Sequence, residues 1–503
     1  MEHFDVLIVG AGLSGVGAAC QLRQRHPRKS FAILEGRAAM GGTWDLFRYP
    51  GIRSDSDMYT LGYRFRPWRD AKAIADGPAI LNYIRETAAE FGVDKEIRYG
   101  HRVRRASWLS ADALWTVEAE LIPEIGPEKT PGAAARFTCR FLYLCTGYYD
   151  YEGGYTPDWP NVKRFRGQIV HPQKWPAALD YEGKQVVVIG SGATAVTLVP
   201  AMAERAAHVT MLQRSPTYVV SRPAQDIVAN WLRRILPARA AYVLTRWKNV
   251  LLGMFFYNLA RSRPNVFKRM LAKGVRKELG QQYDLKHFTP QYNPWDQRLC
   301  LVPDSDLFKS IRDGRVSVVT DHIDTFTETG LQLKSGEHLD ADIIVTATGL
   351  VLKLMSGLQL VVDDATVDLS KTVAYKGMMF SDVPNLASAF GYTNASWTLK
   401  CDLTAEYVCR LLKHMDRHGY AQCTPRENEP QVTEEPVLDF TSGYVQRALH
   451  TLPRQGSKTP WRLHQNYVKD LSMLRFGSVD DGTMEFKVAS GGSRVDPEVV
   501  QHG

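Results

Sequence analysis

Two apolar runs that each end in a glycine-rich turn, with a long basic helical stretch behind the second, predict an α/β protein. The fold class they indicate is two Rossmann-like dinucleotide-binding units with a helical insertion in the second. Size and composition agree. A chain of 503 residues, 44% hydrophobic and 23% charged, suits several globular domains and excludes wholesale disorder, a collagenous repeat or a multi-span membrane protein.

The first unit opens at residues 4–15, FDVLIVGAGLSG, a strand pattern running into Gly10, Gly12 and Gly15 of a G-x-G-x-x-G turn that includes Ser14. The first glycine makes the tight reversal, the second admits a pyrophosphate against the backbone, and the third lets helix and strand pack. The helix N-terminus then offers free N–H groups to the phosphates. A second apolar strand, FAILE, ends in Glu35, twenty residues beyond Gly15, where an acid can accept hydrogen bonds from an adenosine ribose.

The second unit opens at residues 185–195, QVVVIGSGATA, with Gly190, Gly192 and Ala195 in the G-x-G-x-x-A form and Ser191, Ala193 and Thr194 between them. Its next strand, HVTMLQRSP, ends in Gln213, Arg214 and Ser215 where an acid is expected. Loss of the carboxylate removes repulsion, and a guanidinium with a hydroxyl suits a 2′-phosphate. This site therefore predicts NADPH, and two such sites in one chain imply FAD at the first. Resemblance to two-dinucleotide flavoproteins then makes residues 1–150 the first part of the FAD-binding domain and 151–180 an interdomain linker. Residues 181–345 are the NADPH-binding domain with its helical insertion at 222–290, and 346–503 complete the FAD-binding domain and the C-terminal segment.

The net charge of +8 is concentrated. Residues 227–280 hold twelve Lys/Arg against one acid, Glu278, a local balance of +11. The rest of the chain is near neutral, so the basic excess does not indicate a nucleic-acid partner. The longest uncharged run in this stretch, residues 249–260, has twelve residues, whereas a membrane span needs about twenty. Two readings of the insertion remain. One is a solvated cap over the NADPH domain. The other is peripheral contact with an anionic membrane, to which basic charge interleaved with Trp231, Trp247, Phe255, Phe256 and Tyr257 is suited.

Seven scattered cysteines without a CxxC pair predict reduced thiols in a cytoplasmic chain, with no metal site and no disulfide-reductase chemistry. The N-terminus, MEHFDVLIVG, is not a secretory signal pattern. No oligomeric state is marked.

Two longer patterns name a chemistry. Residues 165–176, FRGQIVHPQKWP, fit F-x-G-x-x-x-H-x-x-x-W-P through Phe165, Gly167, His171, Trp175 and Pro176. Residues 42–55, GTWDLFRYPGIRSD, fit G-x-W-x-x-x-x-[YF]-P-G-x-x-x-D. Both resemble fingerprints of Baeyer–Villiger monooxygenases, within the class B flavin monooxygenases. YPGIRSDSDMYTLG, YNPWDQRLCLVP and GYTNASWTLK make the resemblance closest to the ethionamide-activating monooxygenase branch.

The resemblance implies FAD, NADPH, O2 and a small-molecule ketone or sulfide. It makes Arg298 the fixed cation that stabilises developing oxygen anion, with Asp55, in preference to Asp57, as its partner acid. It places Gly42, Thr43 and Trp44 along the pyrophosphate and flavin edge, Asp45 and Leu46 beside them, and the Val103 backbone against the adenine. It puts Trp461, in a W-x4-N spacing with Asn466, over the nicotinamide. It gives His171 a hinge role, and makes the strands ending in Thr146-Gly147 and Thr348-Gly349 the crossings between domains. Gln297 stands where many relatives have lysine, which leaves Arg214 as the main reader of the 2′-phosphate. The implied activity is ketone oxygenation to an ester or lactone, with S-oxygenation of sulfides or thioamides beside it. The alternatives are an N- or S-oxygenating flavin monooxygenase without useful ketone activity, and a non-oxygenating NADPH-sensing flavoprotein.

Overall fold

Val6, Leu7, Ile8 and Val9 are all buried, as a strand covered on both faces requires. They belong to strand Glu2–Val9, near the middle of a nine-stranded sheet. The computed structural model describes residues 1–122, 134–427, 432–438 and 440–489. On one side of the central strand lie parallel Phe31–Leu34 and Ile97–Arg98, and on the other parallel Ala134–Leu144. Antiparallel Leu114–Leu121 and His101–Leu109 continue the sheet. Strands Gln359–Val362 and Leu386–Ser388, from far along the chain, join it in parallel. Four helices precede the second sheet: α1 (Leu13–Arg25), α2 (Thr43–Leu46), α3 (Met58–Leu61) and α4 (Gly77–Glu90).

The second sheet has five parallel strands in the order Val316–Thr320, His208–Gln213, Gln185–Ile189, Ile343–Thr346, Gln168–Val170. Helix α5 (Ala193–Met202) follows its glycine turn. The edge strand Gln168–Val170 comes out of the fingerprint segment, so the stretch expected as a linker at 151–180 also supplies a sheet strand. Gly167 allows this entry, because a Cβ there would lie 2.3 Å from the Asp342 carbonyl oxygen.

The insertion is bracketed by a parallel pair, Val219–Arg222 with Cys300–Pro303. It contains α6 (Ile227–Ile235), α7 (Ala238–Ser262) and α8 (Pro264–Leu279), and helices α9 (Asp306–Arg312) and α10 (Trp397–His418) come later in the chain. Val275 of α8 joins the core of the second sheet, whereas Ala229 of α6 and Tyr242 and Val250 of α7 join the core of the first. The reading of a cap over the NADPH domain alone is therefore corrected: the insertion roofs both halves. Arg246 pins it. This buried guanidinium donates to the carbonyls of Tyr59 and Gly62, each at 2.8 Å, and pairs with Asp402 of α10 at 3.4 Å. Among the described residues, no helix is long and apolar enough to cross a membrane.

Candidate active site

Both glycine turns are built for close approach. Gly10 has φ +103°, and a Cβ there would lie 2.5 Å from the Cys145 carbonyl oxygen. A Cβ at Gly15 would lie 1.8 Å from the Gly10 oxygen, which is how α1 packs directly on its strand. In the second unit Gly190 has φ +141° and abuts the Ala347 carbonyl, while Ala195 is fully buried and tolerates its methyl group. Helices α1 and α5 both start at a glycine, Gly12 and Gly192, without a side-chain cap, so their first N–H groups are left for a ligand.

One cavity of about 900 Å³ reaches both helix starts. Gly12 and Ser14 line it at α1, Ala193 and Thr194 at α5, and Gly42, Thr43 and Trp44 between them. The Trp397 indole N–H donates to Ser14 Oγ at 2.9 Å, and Thr43 is hydrogen-bonded to the Tyr149 hydroxyl. Asp45 and Leu46 hold this segment from behind. Asp45 is buried and pairs with Arg37 at 2.7 Å, and Leu46 packs against the second core.

Arg298 and Asp55 face each other across the cavity wall, Nη1 to Oδ2 at 3.4 Å. Their remaining exposed surface, 39% and 35% of each side chain, opens onto that cavity. The Asp55 carboxylate pushes the guanidinium pKa up, against the opposing effect of burial, so Arg298 is a permanent cation. Asp57 serves elsewhere. It caps α3, accepting from the Thr60 N–H at 3.0 Å and the Thr60 hydroxyl at 2.9 Å.

Glu35 lies behind the cavity. Its buried carboxylate accepts the Ala11 N–H at 2.8 Å and the Arg37 N–H at 2.9 Å, and burial raises its pKa. The Glu35 carbonyl accepts the N–H of His101, which starts the strand carrying buried Val103, so both residues sit at the same end of the first sheet. At the end of the matching strand in the second sheet, Arg214 and Ser215 are exposed, and Arg214 has no ion pair among the described residues. Ser191 donates to the Ser215 carbonyl at 3.0 Å. Gln213 turns inward instead and donates to the His287 carbonyl at 2.8 Å and Thr320 Oγ1 at 2.9 Å. Trp461 is not brought to the cavity. It is 1% exposed and packs edge-on against Tyr375 with ring centroids 5.5 Å apart, and Asn466 caps the short helix Tyr467–Leu471.

The two strand exits ending in Thr-Gly meet. Residues 148–150 and 351–353 pair antiparallel, and the Thr348 hydroxyl and Gly349 carbonyl bond Tyr155. The fingerprint segment docks on this junction. The His171 ring fills the space over Gly154, where a Cβ would lie 2.0 Å from Cε1, and Gln173 donates to the Asp150 carbonyl at 2.6 Å. Burial lowers the His171 pKa, and the ring sits away from the Arg298–Asp55 pair, at the junction.

Comparison with known proteins settles the family. The model for flavin-binding monooxygenase-like proteins matches residues 73–413, and that for an NAD(P)-binding Rossmann-like domain matches 8–73. The chain is similar to the FAD-containing monooxygenase EthA of Mycobacterium tuberculosis, at 54% identity over 96% of this chain and 98% of that relative. It is 53% identical to EthA of Mycolicibacterium smegmatis, over 96% and 97%. The chain belongs to the flavin-binding monooxygenase-like family.

The fold of this flavin-binding monooxygenase is also that of a solved steroid monooxygenase bound to NADP, with TM-score 0.73 at 21% identity over 97% of this chain and all of that one. Sequence patterns missed part of its site. Tyr148 and Tyr444 flank Arg298, and burial pushes the Tyr148 hydroxyl up to about 12 while the guanidinium acts against that rise. Tyr148 stacks on Trp397 with centroids 5.0 Å apart, which makes an aromatic wall beside the cation. Three segments far apart in the chain supply that wall. Although Trp397 lies in the GYTNASWTLK stretch that carries the resemblance, nothing in the sequence marks it, Tyr148 or Tyr444 as a neighbour of Arg298.

Proposed function

We propose that the chain is an FAD- and NADPH-dependent Baeyer–Villiger monooxygenase. It would convert a ketone, O2, NADPH and a proton to an ester or lactone, NADP⁺ and water, and oxygenate sulfides or thioamides at the same site. The observation that carries this reading is the charged Arg298–Asp55 pair set in a single cavity between two uncapped helix starts.

The chain's own atoms fit both dinucleotides. A Cβ at Gly42 would lie 3.1 Å from Gly12 Cα, so the bare backbones leave the space a pyrophosphate needs at α1. Glu35 uses two of its roughly four acceptor positions on Ala11 and Arg37 and keeps the others for ribose hydroxyls. At α5, Arg214 and Ser215 stand free for the 2′-phosphate. Bound flavin supplies hydride acceptance from NADPH and activation of O2. Arg298 holds positive charge where oxygen becomes negative, Asp55 fixes its orientation, and the Tyr148–Trp397 wall excludes water. The His171 segment ties together the two strand exits that join the halves.

The deciding experiment is incubation with NADPH and ¹⁸O2 over a panel of ketones and sulfides, with products identified by mass. One labelled oxygen in an ester or lactone is expected. Labelled sulfoxides without any labelled ester would replace this reading with the N- or S-oxygenating one, and unlabelled products throughout would remove the oxygenase.

Cofactor choice has its own test. Arg214→Ala should erase most of the NADPH-over-NADH preference in kcat/KM, a loss of roughly 1.5–3 kcal/mol for a charge-assisted hydrogen bond. An unchanged ratio would move the reading of the phosphate to another residue.

A further inference from the structure

Of eighteen large apolar side chains that are exposed among the described residues, eleven lie within residues 227–270, on the helical roof. The placement is inverted relative to an ordinary surface helix, whose apolar stripe faces the core. Helix α6 turns Ile227, Trp231 and Ile235 outward, at 75%, 57% and 55% exposure. Its polar contacts point inward: Arg233 donates to the Arg69 and Asp70 carbonyls, and the capping Asp226 pairs with Lys248. In α7, Tyr242 and Arg246 face the protein, while Leu244, Leu251 and Phe255 form an outward stripe at spacings of seven and four. That stripe runs about 16 Å along the helix.

Charge surrounds this surface. Arg234, Arg239, Arg263, Arg269, Lys273 and Arg276 are exposed and have no ion pair among the described residues. The same face holds the mouth of the cavity, because exposed Ile227, Val228, Leu252 and Met270, from all three helices, also line it.

We propose that this face seats the enzyme on an anionic phospholipid surface, with the cavity mouth opening toward the hydrocarbon. Its substrates are then apolar, chain-bearing ketones or sulfides dissolved in the bilayer. Attachment stands on the surface alone, and the substrate class rests on the function proposed above. Aromatic and aliphatic side chains enter the headgroup boundary by about 5–10 Å, and the surrounding cations draw the protein to anionic lipid. Each basic residue near the surface is worth about five-fold in partitioning, and the attraction fades within a Debye length of about 10 Å at 0.1 M salt.

The test uses the full chain. It is co-sedimented with phosphatidylglycerol-containing and pure phosphatidylcholine vesicles at about 0.05 M and about 0.5 M salt, and its oligomeric state is read by size exclusion. Expected is sedimentation with anionic vesicles at low salt, at least tenfold above neutral ones, and release at high salt. The triple variant Trp231→Glu, Leu251→Glu, Phe255→Glu should lose binding and keep wild-type turnover of a water-soluble substrate. It should also lose the wild-type fall in KM when a long-chain ketone or sulfide is supplied in anionic vesicles. Recovery in the supernatant under all conditions would overturn the proposal. So would a wild-type dimer that the triple variant dissociates and that shows no vesicle binding, since the face would then belong to a second copy. Vesicle binding without turnover of any ketone or sulfide would uphold the attachment and overturn the function.

Discussion

Arg298→Ala is expected to cut ester or lactone formation by roughly 10²–10³, the loss seen when a donor aimed at a developing oxyanion is removed. NADPH oxidation should continue, with its electrons emerging as hydrogen peroxide, because the nucleotide sites proposed at α5, Arg214 and α1 are untouched. The split distinguishes this role from a structural ion pair: a folding defect would lower NADPH oxidation and product together. Arg298→Lys should recover little, since a point charge lacks the rigid fork of donors. Asp55→Asn should keep part of the rate, because the cation survives but loses the carboxylate that fixes it at 3.4 Å. The measurement is product by chromatography against NADPH consumed and peroxide formed. An Arg298→Ala enzyme that makes ester at the wild-type rate would show that another group carries the negative charge.

The parts of this protein legible in its sequence are those where one backbone feature forces one residue type. Gly10, Gly15 and Gly190 are such places, since a side chain at each would collide with a carbonyl oxygen. The apolar runs at residues 6–9 and 186–189 are others, because a parallel sheet buried on both faces leaves no polar alternation there to confuse the reading. What sequence could not place was set by partners distant in the chain. Gln213 reads as the loss of an acid, yet its amide is committed to His287 and Thr320. Trp461 sits at a suggestive spacing from Asn466, but its ring is taken up by the core beside Tyr375. The motif already favours Asp55 over Asp57, and the fold supplies the physical reason: Asp55 pairs with Arg298 while Asp57 is spent capping α3. The basic insertion is the largest case. Twelve cations read as one charged block, whereas the fold buries Arg246, pairs Lys248 and leaves others outside around an apolar face.

That division makes Arg246 the strongest stability prediction. Its guanidinium satisfies two carbonyls of the first half and neutralises Asp402, itself 5% exposed, so one side chain ties the roof to that half. Arg246→Met leaves Asp402 as a buried charge with the Arg64 N–H as a remaining donor, at 3.0 Å. Breaking one partner of such a pair costs about 3–5 kcal/mol, more than the pair contributes as a whole. The deficit should depend on pH in a fixed direction. Burial already raises the Asp402 pKa above the usual carboxylate value, and losing Arg246 raises it further. The folded state then holds a proton that the unfolded chain has released, so stability falls as pH rises through that raised pKa. The variant should therefore be weakest at neutral pH and regain part of its loss on acidification. Asp402→Asn added to Arg246→Met should recover part of the loss at neutral pH and flatten the pH dependence, because no charge is left to bury. Denaturant unfolding of the two single variants and the double variant across pH measures this. A loss below about 1 kcal/mol in Arg246→Met, independent of pH, would show that packing of Tyr242 and Val250 holds the roof without the guanidinium.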